Sequence, residues 1–184
     1  MNKDFNHIYL LAVKQDRLAQ KTLFEWFSPK MLAIAKSYVN TLENAEDVVV
    51  QSFYKAFQKI EDCKDASRFQ FWLRKIVVND SINFIRKNKN ILYAETENIE
   101  DFGEDILDLA EENFPDFEIE EILSQMPIGY RLVFNLSVFE DKKHQEIAEM
   151  LNINEGTSRS QLNKAKKWLV EFFKQKENEQ FIEK

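Results

Sequence analysis

Apolar and small residues recur at helical spacing between residues 44 and 60, at positions 45, 48, 49, 52, 53, 56, 57 and 60. This i, i+3, i+4, i+7 ladder is typical of a helix that buries one face. The 184 residues include only three Gly and three Pro, on which the tight turns of a sheet protein depend. Hydrophobic residues make up 44% of the chain, which is enough for a packed core. We therefore predict an all-α fold.

Charge divides the chain into three segments. Residues 1–90 hold 15 Lys and Arg against 10 Asp and Glu, residues 91–123 hold 13 acids and no base, and residues 124–184 hold 10 bases against 9 acids. A run of like charges repels itself and stays extended. We predict two small helical domains, residues 1–90 and 116–184, joined by an acidic linker over residues 91–115. The acidic run is either a solvated tether or a segment that lies in a basic channel of a partner.

Capping residues and prolines set the predicted helix boundaries. A helix over residues 5–13 precedes one over residues 17–27, for which Asp16 is the predicted N-cap. Pro29 is predicted to begin a new helix that runs to about residue 40. Proline is tolerated there because the backbone N–H groups of the first helical turn have no hydrogen-bond acceptor within the helix. The other predicted helices cover residues 44–60, 67–87, 116–126, 128–139, 143–151 and 154–174.

Residues 143–169 have the layout of a helix-turn-helix. Two helices are separated by a turn over residues 152–154, and Asn154, its last residue, can cap the second helix. Ser158, Leu162, Ala165, Leu169 and Phe172 form the buried side of the second helix, whereas its other side is basic and polar. Arg, Ser and Asn can contact base edges in a major groove, and Lys can neutralise phosphates. The residues predicted to contact duplex DNA are Thr157, Ser158, Arg159, Ser160, Asn163, Lys164 and Lys167. The alternative is a solvated basic face on an ordinary helical hairpin.

A second polar stripe lies on the predicted helix over residues 67–87. Four basic or amide residues follow each other at i, i+4, i+8 and i+11, with aromatic residues at the amino end of the same helix. Aromatic rings beside basic side chains suit the unstacked bases of single-stranded nucleic acid. The alternative is that Phe69 and Trp72 belong to the core. The residues predicted to contact a separated strand are Phe69, Phe71, Trp72, Lys75, Asn79, Asn83, Arg86 and Lys87.

Several classes of protein find no support in the sequence. One Cys and two distant His make a structural zinc site improbable, and the single Cys fits a reducing cytoplasm. There is no phosphate-binding Gly-rich loop and no nucleophile motif, so we expect neither an enzyme nor a bound cofactor. The apolar run from Ile8 to Val13 is too short to span a membrane. We therefore expect a cytoplasmic protein that is not inserted in a membrane.

Three stretches together resemble the extracytoplasmic-function sigma factors, which are bacterial initiation subunits of RNA polymerase. They are AEDVVVQSFYKAF, FQFWLRKIVVNDSINFIRK and MPIGYRLVFNLSVFEDKKHQEIAEMLNINEGTSRSQLNKAKKWL. Their joint order and spacing carry the resemblance, which covers nearly the whole chain outside the acidic linker. Val50 and Gln51 stand where the family usually has Gln followed by an acid, and Asn83 stands where it often has Asp.

The resemblance implies a role for each segment. The first domain would bind core RNA polymerase and the melted minus-ten strand, and the helix-turn-helix would bind the minus-thirty-five duplex of promoter DNA. The acidic linker would run through the RNA-exit path and active-site cleft of the polymerase. The resemblance also allows for an inhibitory anti-sigma factor, which no residue of this sequence identifies. The residues implied in polymerase binding are Asp47, Val50, Gln51 and Tyr54.

Two other functions stay open at this point. A stand-alone helix-turn-helix regulator would need a dimer interface and a two-fold DNA site, and no heptad run supplies the former. A helical protein-interaction module without DNA contact is compatible with the apolar faces, but the basic face from Arg159 to Lys167 argues against it.

Overall fold

The computed structural model describes residues 3–39, 41–87 and 122–182, and these form two compact units that divide after Lys87. Across these ranges the regular secondary structure is helical, without a strand, which confirms the predicted fold class. None of the helices described is both long and apolar enough to cross a membrane. The predicted acidic linker, residues 91–115, lies outside the described residues.

Four helices form the first unit: α1 is Lys3–Val13, α2 is Arg17–Tyr38, α3 is Leu42–Gln58 and α4 is Phe69–Lys87. Helix α2 packs against the other three, and α3 also packs against α4. Two short 3₁₀ turns, Ile60–Asp62 and Ala66–Arg68, connect α3 to α4. Asp16 caps α2 as predicted, because its Oδ1 accepts a hydrogen bond from the Ala19 backbone N–H at 2.8 Å.

The predicted helix break at Pro29 is wrong, because Pro29 lies inside α2. The buried residues of α2 continue with a spacing of three or four residues on both sides of the proline. The half-buried Phe27, whose ring contacts Phe69, continues the apolar stripe between Leu23 and Met31, so the helix packs along its whole length while Pro29 itself is exposed. Burial therefore outweighs the backbone hydrogen bond that proline cannot donate. The buried residues are Ala19, Leu23, Met31, Ala35 and Tyr38.

The ladder on α3 forms the centre of the first unit. Every predicted position is buried except Phe57, which is half-buried. Each large apolar side chain that is buried contributes roughly 1.5–3 kcal/mol relative to an exposed one. The Phe53 ring packs edge-on against Phe24, with ring centroids 4.8 Å apart. A second aromatic group joins α1, α2 and α4, since the Phe69 ring contacts Tyr9 at 5.6 Å and Phe27 at 5.4 Å.

The second unit holds a helix-turn-helix. Residues 122–125 are helical, α5 is Ile128–Phe134, α6 is His144–Leu151 and α7 is Glu155–Ile182. The predicted helix over residues 128–139 changes to π-type geometry over Asn135–Phe139. Between α6 and α7, Asn152 has the left-handed conformation with φ of 56°. Asn154 caps α7 as predicted, because its Oδ1 accepts from the Thr157 backbone N–H at 2.6 Å.

A buried arginine closes the core of the second unit. Arg131 is 1% exposed, and its Nη1 donates to the carbonyl oxygens of Leu123 at 3.2 Å and Ser124 at 3.1 Å. Burial lowers the pKa of this guanidinium from its ordinary value. These bonds add a second donor to the Leu123 carbonyl, which also accepts from the Met126 backbone N–H at 3.1 Å, and supply one to the Ser124 carbonyl at the end of the helical residues 122–125. The core beneath consists of Leu123, Met126, Phe134, Ala165 and Leu169.

Candidate nucleic-acid interface

One exposed face of α4 carries the predicted polar stripe. Lys75, Asn79, Asn83 and Arg86 are all exposed, and their spacing places them along one side of the helix. Lys87 is also exposed and lies in the last turn. Amide groups can donate to and accept from base edges, and the cations attract phosphates. The face can therefore bind a nucleic-acid strand along about three turns of helix.

The single acid of α4 is withdrawn from this face by partners on α3. Asp80 Oδ1 lies 2.5 Å from Lys55 Nζ, and Oδ2 accepts from the buried Ser52 hydroxyl at 3.0 Å. The Asp80 side chain is only 10% exposed. Its negative charge is thus neutralised inside the α3–α4 contact, which leaves the exposed side of α4 with cations and amides.

The three aromatic residues at the start of α4 have different environments. Phe71 is 72% exposed and Trp72 is half-buried. Phe69 is fully buried, with its ring 6.0 Å from that of Trp72. The prediction that Phe69 contacts a separated strand is therefore wrong, because its ring belongs to the core with Tyr9 and Phe27. Phe71 and part of Trp72 stay accessible for stacking on bases.

The connection before α4 is held in a defined shape. The Tyr9 hydroxyl donates to the carbonyl oxygens of Ile60, at 3.3 Å, and Cys63. Asp65 accepts from the Ser67 backbone N–H at 2.8 Å and from its hydroxyl at 2.7 Å. The two bonds from Ser67 lower the pKa of the Asp65 carboxyl. Burial, followed by the contact with Cys63, raises the pKa of Tyr9, so its hydroxyl stays protonated as a donor.

An apolar and polar stripe lies on α3 opposite its buried ladder. Asp47, Val50, Gln51 and Tyr54 follow each other at i, i+3, i+4 and i+7, and all four are exposed. Val50 is 57% exposed and Tyr54 is 65% exposed. A tyrosine with an aliphatic neighbour, flanked by polar groups, has the composition of a protein–protein contact.

The predicted duplex-binding residues lie in the first half of α7. Arg159 and Asn163 are exposed, and Thr157, Ser160, Lys164 and Lys167 are half-buried. Arg159 Nη2 forms an ion pair with the carboxylate of Glu155, one turn earlier. Lys164 Nζ lies over the Tyr130 ring of α5, 5.9 Å from its centroid. The structure therefore brings six of the seven residues to the accessible side of α7.

Ser158 is the exception, because it is fully buried. Its hydroxyl is hydrogen-bonded to His144 Nδ1 on α6 at 2.9 Å, so it joins the two helices of the motif. The prediction that Ser158 contacts a duplex requires correction, since its side chain does not reach the surface. Burial, and then the charge of Arg159, lowers the pKa of His144, while Glu155 opposes that shift.

The two units match the two parts of one family. A model of Sigma-70 region 2 matches residues 23–91, and a model of Sigma-70, region 4 matches residues 116–169. RNA polymerase sigma factor SigV of Bacillus subtilis is 33% identical over 134 residues, which cover 73% of this chain and 78% of that relative. The chain belongs to the extracytoplasmic-function sigma factors. The sigma-E factor of Haemophilus influenzae is 28% identical over 84% of this chain and 87% of its own length. SigW of Bacillus subtilis is 26% identical over 85% and 89%.

This sigma factor directs RNA polymerase in transcription initiation and binds core polymerase and promoter DNA. Region 2 comprises much of the first unit, with the α3 and α4 faces, and the region 4 match contains the helix-turn-helix. Two ion pairs beside the predicted DNA-binding faces were not predicted from the sequence. The pairing of Asp80 with Lys55 joins distant positions and leaves no local signal. The Glu155–Arg159 pair does have a local signal in the sequence, because a Glu four residues before an Arg is a favourable spacing for an ion pair on a helix.

Proposed function

We propose that this sigma factor holds a promoter with two different faces, one for a separated strand and one for intact duplex. The α4 face, with Phe71 and Trp72 at its amino end, binds the melted minus-ten strand. The α7 face binds the minus-thirty-five duplex. The observation that carries the proposal is the exposed line of Lys75, Asn79, Asn83 and Arg86, from which the only acid of α4 is turned away.

A separated strand is bound only if its contacts with the protein offset the free energy that is needed to unstack its bases. Taking a base out of the duplex costs a few kcal/mol. A base that stacks on an exposed ring such as Phe71 regains about 1–3 kcal/mol. Phosphate contacts from Lys75, Arg86 and Lys87 add attraction that is independent of sequence. The side-chain amides of Asn79 and Asn83 lie between these cations and can hydrogen-bond to base edges.

The α3 stripe docks the sigma factor on core polymerase. Tyr54 and Val50 supply the apolar contact, and Asp47 and Gln51 supply polar contacts beside it. A largely apolar contact with one carboxylate suits a protein partner better than DNA, since a carboxylate facing phosphates is repelled. Because the same helix carries Ser52 and Lys55, the docked face and the strand-binding face are connected through Asp80.

The α7 face binds the duplex in the manner of a recognition helix. The amino-terminal residues of such a helix contact base edges, and Arg159 is exposed in the second turn of α7. Asn163 and Ser160 are candidates for further base contacts, and Lys164 and Lys167 for phosphates. Thr157 lies in the first turn of α7; its backbone N–H donates to Asn154, so its hydroxyl is the group that can contact a phosphate.

Free sigma factor is expected to bind DNA weakly. The net charge of the chain is −7, and residues 91–123 carry 13 acids. We propose that the acidic linker, residues 91–115, is accommodated in the polymerase, so that both DNA-binding faces act only in the assembled complex. Two weak sites on one chain then reinforce each other. Since its partner polymerase works there, the sigma factor acts in the cytoplasm, and the polymerase supplies the catalysis.

Run-off transcription with cognate core polymerase tests this function. We expect specific transcripts only when core enzyme, the sigma factor and its promoter are combined. The variant N79A/N83A should reduce open-complex formation, and the matched change Q125A, outside both faces, should not. Tight binding of the free chain to a two-fold DNA site would contradict the proposal and indicate a stand-alone regulator.

A further inference from the structure

The ion pair between Glu155 and Arg159 lies on the face that is proposed to meet duplex DNA. Glu155 is the first residue of α7, and its Oε1 pairs with Nη2 of Arg159. Both side chains are partly exposed, at 48% for Glu155 and 62% for Arg159. A carboxylate at this place weakens the attraction of the face for phosphates. The face therefore carries a group that opposes binding, and its contact with Arg159 suggests a second role.

The carboxylate restricts the orientation of the guanidinium. Arginine has five N–H donors in a planar fork and a long flexible stem. Holding one donor at Nη2 fixes the plane and leaves donors for other acceptors. Guanine presents two acceptors, O6 and N7, at its major-groove edge, and an oriented guanidinium can contact both. Ordering the side chain before binding reduces the entropy that is lost on contact.

The platform beneath this pair is itself fixed. Ser158 precedes Arg159 and is held on the buried side by His144 Nδ1 at 2.9 Å. Asn154 precedes Glu155 and caps the helix through the Thr157 N–H at 2.6 Å. The rotation of the first turns of α7 relative to α6 is thereby determined. The orientation of the Arg159 guanidinium is the remaining degree of freedom, and the ion pair with Glu155 restricts it.

We propose that Glu155 is a positioning residue that holds Arg159 for contact with a guanine of the upstream duplex, in exchange for weaker binding to duplex of any sequence. This inference rests on the proposed function of the α7 face. Glu155 itself does not contact the guanine, because both groups at that base edge are acceptors. The contribution of Glu155 is therefore expected in the ratio of affinities for different base pairs, and not in a higher affinity for duplex DNA.

The test uses the full chain bound to core polymerase and upstream duplexes in which single base pairs are randomised. The fraction bound is sequenced for wild type, E155A, E155Q and R159A. R159A identifies the base pair whose guanine is read. At that pair we expect E155A and E155Q to lose discrimination by about tenfold. Binding to non-promoter duplex should rise by about two- to threefold, since one negative charge is gone.

Two controls separate the positioning of Arg159 from the general effect of losing a negative charge on α7. E171Q removes an exposed carboxylate farther along α7, and it should leave discrimination unchanged. In the R159A background, E155A should alter non-promoter binding only. Full discrimination in both E155A and E155Q, with R159A impaired, would overturn the inference and leave the proposed function intact. No effect of R159A at any base pair would contradict the proposed reading of duplex by this face, and the inference with it.

Discussion

Asp80 of α4 and Lys55 of α3 form an ion pair, with Asp80 Oδ1 2.5 Å from Lys55 Nζ, and the buried Ser52 hydroxyl donates to the other oxygen at 3.0 Å. The carboxylate is nearly enclosed, whereas Lys55 is half exposed. This contact joins the helix proposed to dock on polymerase to the helix proposed to hold the melted strand. It also keeps the only negative charge of α4 away from the exposed polar stripe of that helix.

Replacing Asp80 with Ala should destabilise the first unit by about 1–3 kcal/mol, because the buried Ser52 hydroxyl loses its acceptor. Urea denaturation followed by tryptophan fluorescence in a W168F background measures this, since Trp26 and Trp72 then report on the first unit alone. E25Q breaks the exposed pair of Glu25 with Lys21, 3.6 Å apart, and should change stability by less than about 0.5 kcal/mol. Equal stability of D80A and wild type would contradict this role of Asp80.

Substitution of two neighbouring phenylalanines should separate folding from strand capture. F69A removes a core ring and should cost about 3–5 kcal/mol of stability. F71A removes an exposed ring and should leave stability unchanged, while it weakens binding to a fork-junction template by about 1–3 kcal/mol. The same denaturation assay and fork-template binding by the holoenzyme measure the two effects. A stability loss in F71A comparable to that in F69A would show that Phe71 is a packing residue.

The Y54A change should weaken the complex with core polymerase by about tenfold or more, because an exposed tyrosine at the centre of a contact often dominates its energy. Competition for core enzyme against wild-type sigma factor measures the affinity. L18A is the matched control, since Leu18 is an exposed apolar residue on α2, outside the stripe. Equal loss in both variants would indicate a general effect of apolar surface and not a specific contact at α3.

Acidification should destabilise the second unit through His144. Burial and the positive charge of Arg159 lower its pKa in the folded state. The unfolded chain therefore binds more protons as the pH falls below the ordinary histidine pKa of about 6.5, and stability falls with it. Urea denaturation of a W26F/W72F variant, followed by Trp168 fluorescence, measures this dependence.

The H144Q variant is the control for this pH dependence. Glutamine can still hydrogen-bond to Ser158 but does not titrate. Its stability should be nearly constant between pH 7 and the window where carboxylates titrate, near the ordinary pKa of about 4. The same slope in H144Q and wild type would exclude His144 as the cause.

Periodicity and capping chemistry predicted the elements that depend on local sequence. The α3 ladder, the Asp16 and Asn154 caps and the helix-turn-helix are all confirmed. Pro29 shows the limit of local rules, because a buried stripe that continues past the proline maintains the helix. A proline alone therefore did not decide the end of α2.

Side-chain environment was harder to predict than secondary structure. Phe69 and Phe71 are both aromatic and two residues apart. Phe69 lies one turn before the buried Leu73, so the alternative that placed it in the core is the correct one, and its ring contacts Tyr9 and Phe27. Ser158 lies four residues before Leu162, and this spacing predicts that Ser158 is on the buried side of α7. A serine hydroxyl can also contact a base edge, and this property predicted a position on the exposed side. The hydrogen bond between Ser158 and His144 shows that the buried position is the correct one. This bond depends on the packing of α6 against α7, which the sequence does not give.

Site-specific crosslinking in the open complex tests the two-face account most directly. A photoreactive amino acid replaces Asn79 on α4 or Ser160 on α7, and the sigma factor is combined with core polymerase and promoter DNA. We predict that the probe at 79 crosslinks to the separated strand at the minus-ten element, and the probe at 160 to intact duplex near minus thirty-five. Crosslinks from both positions to the same duplex segment, or from position 79 to duplex only, would contradict the account.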